Sequence, residues 1–358
     1  MLNARTPRPA RTTLTLLAAA GLAALLAGCQ ADELGYGPKA SRPPARETLK
    51  MMSELKMSET APILMRIFKE ENKLEVWKKD ATGRFALLKS YDICTWSGKL
   101  GPKIKEGDKQ APEGYYTITP ALMNPNSSYY LSFNTGFPNA YDRSHGRTGA
   151  HLMVHGACSS AGCYAMTDAQ IQEIYALARD AFRGGQKSFQ LQAYPFRMTP
   201  ENLARHVSDP NMPFWKMLKE GYDHFELTRL EPKVDVCGRK YVFNATPEGG
   251  PMSPVQACPK LMVPEALQVA VARKQAADEE QTQIIVARIE IEKKLAEERE
   301  QRKAAQQILL AQQQEERARR KAESKPLLET VFGIRQQPAP TAMALVADPA
   351  AGPGGSPL

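Results

Sequence analysis

Residues Val154 to Met166, VHGACSSAGCYAM, bring one histidine, two cysteines, two serines and two glycines together within ten residues. A thiol works as a nucleophile when a nearby base or cation makes it a thiolate, and its acyl adduct needs donors for the developing oxyanion. His155 can serve as the base and Cys163 as the nucleophile. The backbone N–H groups of Gly162, Cys163 and Tyr164 can serve as the oxyanion donors. A helix is expected to start at Thr167, so Cys163 reads as a turn residue leading into a helix N-terminus, where backbone dipoles favour a thiolate. Cys158 reads as a structural cysteine or a redox neighbour. Two other arrangements use the same residues: a short Cys158–Cys163 disulfide, or a zinc site of His151, His155, Cys158 and Cys163. The His-x2-Cys-x4-Cys spacing departs from the Cys-x2-4-Cys repeats of structural zinc, so no metal or cofactor is expected.

The elements that must position these groups are mostly strands. The run HLMVHG has strand texture, and alternation places His151, Met153 and His155 on one face. Thr167-Asp168 then caps a helix in which Ile171, Ile174, Tyr175 and Ala178 recur at helical spacing, and Gly184-Gly185 stops it. A strand follows at SFQLQAYPF, and Thr199-Pro200 opens a short helix. Upstream, residues 63–98 alternate apolar and polar side chains as a meander of short strands. After the Pro/Gly-rich loop 101–114, YYTIT and YYLSF restore strand texture. The fold class is therefore mainly β with a few helices.

The chain of 358 residues is long enough for more than one module. Arg5, Arg8 and Arg11 precede an apolar run, Leu14 to Leu26, too short for a comfortable membrane span and shaped like a secretory signal. It ends in Leu26-Ala27-Gly28-Cys29, which resembles the bacterial lipobox. That resemblance implies lipidation of Cys29, a signal over 1–29, and a periplasmic protein held to a membrane by its acyl chains. Gln30 after the cysteine favours the outer membrane. Residues 30–61, rich in Pro, Lys, Glu and Ser, read as a flexible spacer. Export places Cys94, Cys158, Cys163, Cys237 and Cys258 in an oxidising compartment, and their odd number leaves at least one thiol free or paired outside the chain. Cys237 and Cys258 bracket a hairpin-like stretch and form a reasonable pair.

From Glu265 to Lys325 the composition turns to Ala, Gln, Glu, Lys and Arg with no Gly or Pro, which predicts one long helix. A coiled-coil seam through Leu309, Ala305, Arg302, Glu298, Leu295, Ile291 and Arg288 is broken repeatedly. A solvated single helix, or one with a weak helical partner, is the favoured reading, and the helix is not expected to pack into the body. Residues 326–358, rich in Pro, Ala and Gly, read as a disordered tail. The net charge of +8 suits anionic envelope polymers, but with no clustered basic patch nucleic acid is not expected as a partner.

His155-Gly156 followed by Ser160-Ala161-Gly162-Cys163 resembles the signature of the L,D-transpeptidases of the YkuD-domain family. ICTWSGKLGPKIKEGDKQAPEGYYTI, Ile93 to Ile118, is similar to the family's early strands and "PEGxY" turn. FNTGFPNAYDRSHGRTG with VHGACSSAGCYAMTD is closest to its YafK-like branch. The resemblance implies a β-rich catalytic domain over 62–196, extended by helices and a hairpin over 197–264. It also implies peptidoglycan as substrate, Cys163 as nucleophile, His155 as base, and an oxyanion hole at Gly162, Cys163 and Tyr164. The branch further implies hydrolysis of links between peptidoglycan and an outer-membrane lipoprotein as an alternative to transpeptidation; a non-catalytic peptidoglycan-binding scaffold is the other alternative. Most members carry a histidine two residues before the nucleophile and an arginine two after it, where this chain has Ala161 and Ala165. Tyr141, Arg143, Arg147 and Ser160 are the candidates for substrate contact, since a guanidinium matches a stem-peptide carboxylate bidentately.

Overall fold

The computed structural model describes residues 38–332. The signal segment 1–29 with Cys29, residues 30–37, and tail residues 333–358 lie outside the described residues. Helix α1 (Arg46–Glu54) leads into a meander of β1 (Ile63–Phe68), β2 (Lys73–Lys79) and β3 (Phe85–Asp92), followed by β4 (Thr95–Trp96), β5 (Gly114–Ile118), β6 (Met123–Asn124) and β7 (Ser132–Asn134). After the short helix α2 (Ala140–Ser144) come β8 (Met153–His155), β9 (Tyr164–Ala165), helix α3 (Asp168–Arg183) and β10 (Phe189–Tyr194). Helices α4 (Pro200–Arg205) and α5 (Met212–Thr228), the hairpin β11 (Val234–Cys237) and β12 (Lys240–Phe243), and the long helix α6 (Glu265–Phe332) complete the order.

Two five-stranded sheets result, ordered β3-β2-β1-β10-β5 and β4-β9-β8-β7-β6. In the first, β1 pairs parallel with β10 and antiparallel with β2. All six residues of β1 are buried, as in a strand covered on both faces, and the one charged member, Arg66, is paired with Glu226 at 2.6 Å. One face packs with Leu131, Phe133 and Val154 of the second sheet region and Ile171, Ile174 and Leu177 of α3. The other packs with Trp215, Leu218 and Tyr222 of α5 and Tyr241 and Phe243 of the hairpin. Helix α3 begins as its sequence dictates. Thr167 accepts from the Gln170 amide at 3.2 Å and Gln170 Oε1 accepts from the Thr167 amide at 3.0 Å, a reciprocal cap.

Residues 38–61 differ from the expected spacer. A 3₁₀ turn over Pro38–Ser41 and helix α1 lie on the body, with Thr48 and Met52, four apart on one helix face, buried. Glu173 of α3 secures them: its carboxylate accepts from Thr48 Oγ1 and, at 2.6 Å and 2.9 Å, from Lys89 Nζ and Tyr91 Oη. The polar composition that reads as a tether therefore includes an amphipathic turn of core.

The long helix is also attached more firmly than its composition predicts. Val271 and Thr282 are buried, and Asp278 accepts from Lys219 of α5 at 2.5 Å and from Lys274 at 2.7 Å. The compact body runs to Arg288, and from Ile289 to Glu323 every described side chain is exposed. The helix continues to Phe332, so residues 326–332 of the expected tail are helical. Among the described residues no helix is long and apolar enough to cross a membrane. A chain truncated after Arg288 should melt within about 2 °C of the full chain. Truncation after Pro264 strips partners from Lys219 and Asp223 and uncovers α5, and should lower Tm by roughly 2–4 °C per kcal/mol lost, the scale for a domain of this size. Equal melting of the two, followed by circular dichroism, would contradict this docking.

Candidate active site

The motif folds as strand, loop, strand. β8 and β9 run parallel, with Val154 opposite Tyr164 and His155 opposite Ala165. Cys163 thus enters β9 beside Met153 and on the side of the sheet that carries His155, because strand side chains alternate. Residues 156–163 form the loop between them. Gly156 is required there: a Cβ would meet Asp168 Oδ1 at 2.6 Å and the Tyr129 carbonyl at 2.9 Å. Gly162 holds φ at +129°, a conformation that L side chains rarely adopt.

The loop is held from both ends. The amides of Ala157 and Cys158 donate to Asp168 Oδ1 at 2.8 Å and the Met166 carbonyl at 3.1 Å. Cys158 is bonded to Cys94, just before β4, and the Cys94 amide donates to the Ala165 carbonyl at 2.9 Å. A bridge across a separation of 64 residues stabilises by about 4 kcal/mol in the chain-entropy account. Pairing with Cys94 removes Cys158 from the two other arrangements, the Cys158–Cys163 disulfide and the zinc site. Cys237 and Cys258 form the second disulfide, and Cys163 is the free cysteine among the described residues.

Cys163, His155, Met153, His151 and Tyr129 line one cavity of about 330 Å³. Cys163 Sγ accepts from the Met153 amide at 3.3 Å and donates to the His151 carbonyl at 3.7 Å. The His155 ring lies 4.7 Å from that of Tyr129, and its Nδ1 is 2.6 Å from the Gly156 carbonyl oxygen. A carbonyl oxygen only accepts, so Nδ1 carries the proton and Nε2 is the nitrogen left to take one. A larger cleft of about 700 Å³ beside α1 and α3 contains no cysteine or histidine.

Burial pushes the His155 imidazole below its ordinary value, opposed by the Gly156 carbonyl. Burial pushes the Cys163 thiol up, opposed by the Met153 N–H and the charge of Lys103. This corrects the expectation of a thiolate at a helix N-terminus. Tyr164 and Ala165 form β9 between Cys163 and α3, so the helix start serves its own cap and the Ala157 amide instead. Both shifts favour the uncharged form of each group over a preformed thiolate–imidazolium pair. Alkylation of Cys163 by iodoacetamide should therefore rise with a midpoint above the ordinary thiol value of about 8.5. The base limb of the pH–rate profile should fall below the ordinary histidine value of about 6.5, because a depressed histidine stays neutral further into acid. A midpoint below pH 7 for alkylation would indicate a preformed thiolate–imidazolium pair instead.

The other expected site residues separate. Ser160 Oγ accepts from the Gly162 amide at 3.3 Å and the Cys163 amide at 2.9 Å, donates to the Cys163 carbonyl at 2.7 Å, and receives Ser97 Oγ at 3.1 Å. It closes the turn, and two of the three amides expected as oxyanion donors are committed to it; the third, on Tyr164, belongs to β9. Tyr141 is buried and stacks on Tyr241 at 4.5 Å and Phe214 at 5.7 Å. Arg147 is buried with its guanidinium on Asp142 at 2.8 Å. Arg143 donates to the Pro138 carbonyl. None of these three lines the cavity of Cys163. Cys94, Tyr129 and the Met153 amide are the site components that the sequence does not point to. The odd cysteine count is the one signal that bears on Cys94.

The family model of the YkuD L,D-transpeptidase catalytic domain matches residues 64–186. The chain is 47% identical over 184 residues to "Putative L,D-transpeptidase YafK" of Escherichia coli strain K12, a match covering 51% of this chain and 74% of that protein. Among solved structures, it is similar to the helical cell shape determining protein Pgp2 from Campylobacter jejuni, with 18% identity, a TM-score of 0.31, and coverage of 52% of this chain and 79% of that one. Bdellovibrio bacteriovorus Bd1075 matches at 14% identity and a TM-score of 0.28, over 57% of this chain and 96% of that one. On the matched segment and the identity to a relative most of whose length it spans, the chain belongs to the L,D-transpeptidase catalytic-domain family, YkuD.

Proposed function

We propose that the chain is an exported cysteine enzyme that remodels peptidoglycan stem peptides through a thioester at Cys163. The observation that carries the reading is the placement of the free thiol and a histidine of fixed tautomer in one cavity. In the first step Cys163 Sγ attacks the carbonyl carbon of the amide between an L- and a D-centre, and its proton passes to His155 Nε2. The C–N bond then breaks as the imidazolium returns that proton to the leaving amine, leaving the thioester. An incoming amine or water, deprotonated by His155, releases the acyl group and restores the thiol. As the oxygen acquires charge it draws on the Cys163 and Gly162 amides, which Ser160 Oγ occupies in the resting site.

Water as the acceptor, an endopeptidase outcome on peptidoglycan–lipoprotein links, is favoured by one feature. Ala161 and Ala165 stand where most members carry a histidine and an arginine, and Ala165 is fully buried, so neither offers a polar group to an incoming amine. Lipidation at Cys29 would hold the enzyme to a membrane, the outer one favoured, facing the peptidoglycan. The exposed stretch of α6 is then open to a helical protein partner.

Digestion of purified sacculi with the protein, with muropeptides and released lipoprotein identified by mass spectrometry, tests the reading. New cross-links or shortened stems support transfer, and released lipoprotein supports hydrolysis. Unchanged sacculi with a native, reduced Cys163 would sink both.

A further inference from the structure

The structure leaves the active-site cavity with a specific electrostatic problem. Its wall from the β6–β7 connection is neutral, built from Asn124, Ser127, Ser128 and Tyr129. The guanidinium groups that would suit a carboxylate are committed elsewhere, Arg147 to Asp142 and Arg143 to the Pro138 carbonyl. Lys103 is buried and paired with Asp108. Apart from the base His155, His151 is the side chain lining the cavity that can carry positive charge.

His151 is exposed and sits at φ 57°, the left-handed region, where a non-glycine residue is uncommon and persists only when its surroundings hold it. In that conformation its carbonyl lies 3.7 Å from Cys163 Sγ. In a peptide whose last residue is the leaving group, the terminal carboxylate carbon is two bonds from the leaving nitrogen. The group that binds it must therefore stand within a few ångströms of the attacking sulfur, which is where the backbone of His151 is fixed.

We propose that His151 is the group that recognises the carboxylate ending the stem peptide, replacing the guanidinium that this site lacks. The proposal rests on the stem-peptide reading above. It makes the site selective for substrates whose leaving residue ends in a free carboxylate, through a charge-assisted hydrogen bond from the imidazole.

The test is binding rather than turnover, so that it separates from the proposed chemistry. Calorimetry on the full chain carrying Cys163→Ala would compare a soluble stem tetrapeptide with its C-terminal amide. The carboxylate form should bind about tenfold more tightly, equivalent to about 1.4 kcal/mol. Adding His151→Gln should remove that difference, and His151→Arg should restore it. Equal affinities for the two peptides, binding of neither, or discrimination that survives His151→Gln would overturn the assignment. A protein that discriminates the two peptides but leaves sacculi unchanged would keep this inference and remove the catalytic reading.

Discussion

Cys163→Ala is expected to lose at least about 10⁴-fold in turnover of stem peptides, since a covalent route without its nucleophile retains only binding and electrostatic catalysis. His155→Ala should lose about 10²–10⁴-fold, the usual contribution of a positioned general base. Cys158→Ala should behave differently. It removes the Cys94 bridge, and with it roughly 2–4 kcal/mol of stability, but leaves thiol and base in the cavity. The contrast of the three variants separates chemistry from scaffolding: rates read the first two, and a melting curve reads the third. Full remodelling activity in Cys163→Ala would remove the mechanism.

The largest stability effect is expected at Glu113, buried just before β5 of the first sheet. Its carboxylate accepts from Lys69 Nζ at 2.9 Å and from Trp215 Nε1 at 2.8 Å, and neither Lys69 nor Glu113 exposes any side-chain surface. Lys69 also donates to the carbonyls of Lys99 at 2.8 Å and Ala111 at 3.1 Å. Burial pushes the Lys69 ammonium below its ordinary value, with Glu113 opposing the shift. Glu113→Ala leaves that ammonium without a counter-charge and strands the indole N–H, which should cost about 3–5 kcal/mol in chemical denaturation. The effect should reach the active site. The Ala111 amide donates to the Ser97 carbonyl at 2.9 Å, and Ser97 Oγ reaches the Ser160 hydroxyl that closes the Cys163 turn. A loss under 1 kcal/mol would show that the pair is dispensable.

What the sequence made legible was local. The Thr167 cap, the apolar spacing of α3 and the helix after Thr199 rest on neighbours within four residues, and the structure contains them; the strand expected over HLMVHG is shortened to Met153–His155, with His151 outside it at φ 57°. The features it hid depend on distant partners. Cys94 meets Cys158 across 64 residues, and nothing near either cysteine marks the pairing. Thr48 and Met52 read as part of a polar tether until Glu173, 125 residues away from Thr48, gives α1 a place to dock. Tyr141 and Arg147 have the residue types of a carboxylate site, yet the hairpin's Tyr241 and the carboxylate of Asp142 draw them into the second core. The thiol is the same lesson at the site itself. Proximity in sequence to a helix start suggested a stabilised thiolate, whereas two residues of intervening strand leave the sulfur half-buried beside Met153.

The most direct test of the central claim is the mass of the intact protein and of its Cys163 peptide after treatment with a carbapenem, which acylates a competent nucleophile without needing the natural substrate. The account predicts one covalent adduct, mapped to Cys163, absent from Cys163→Ala, slowed in His155→Ala and retained in Cys158→Ala. An unmodified Cys163 in folded protein with both disulfides intact, or an adduct mapped to any other residue, would contradict it.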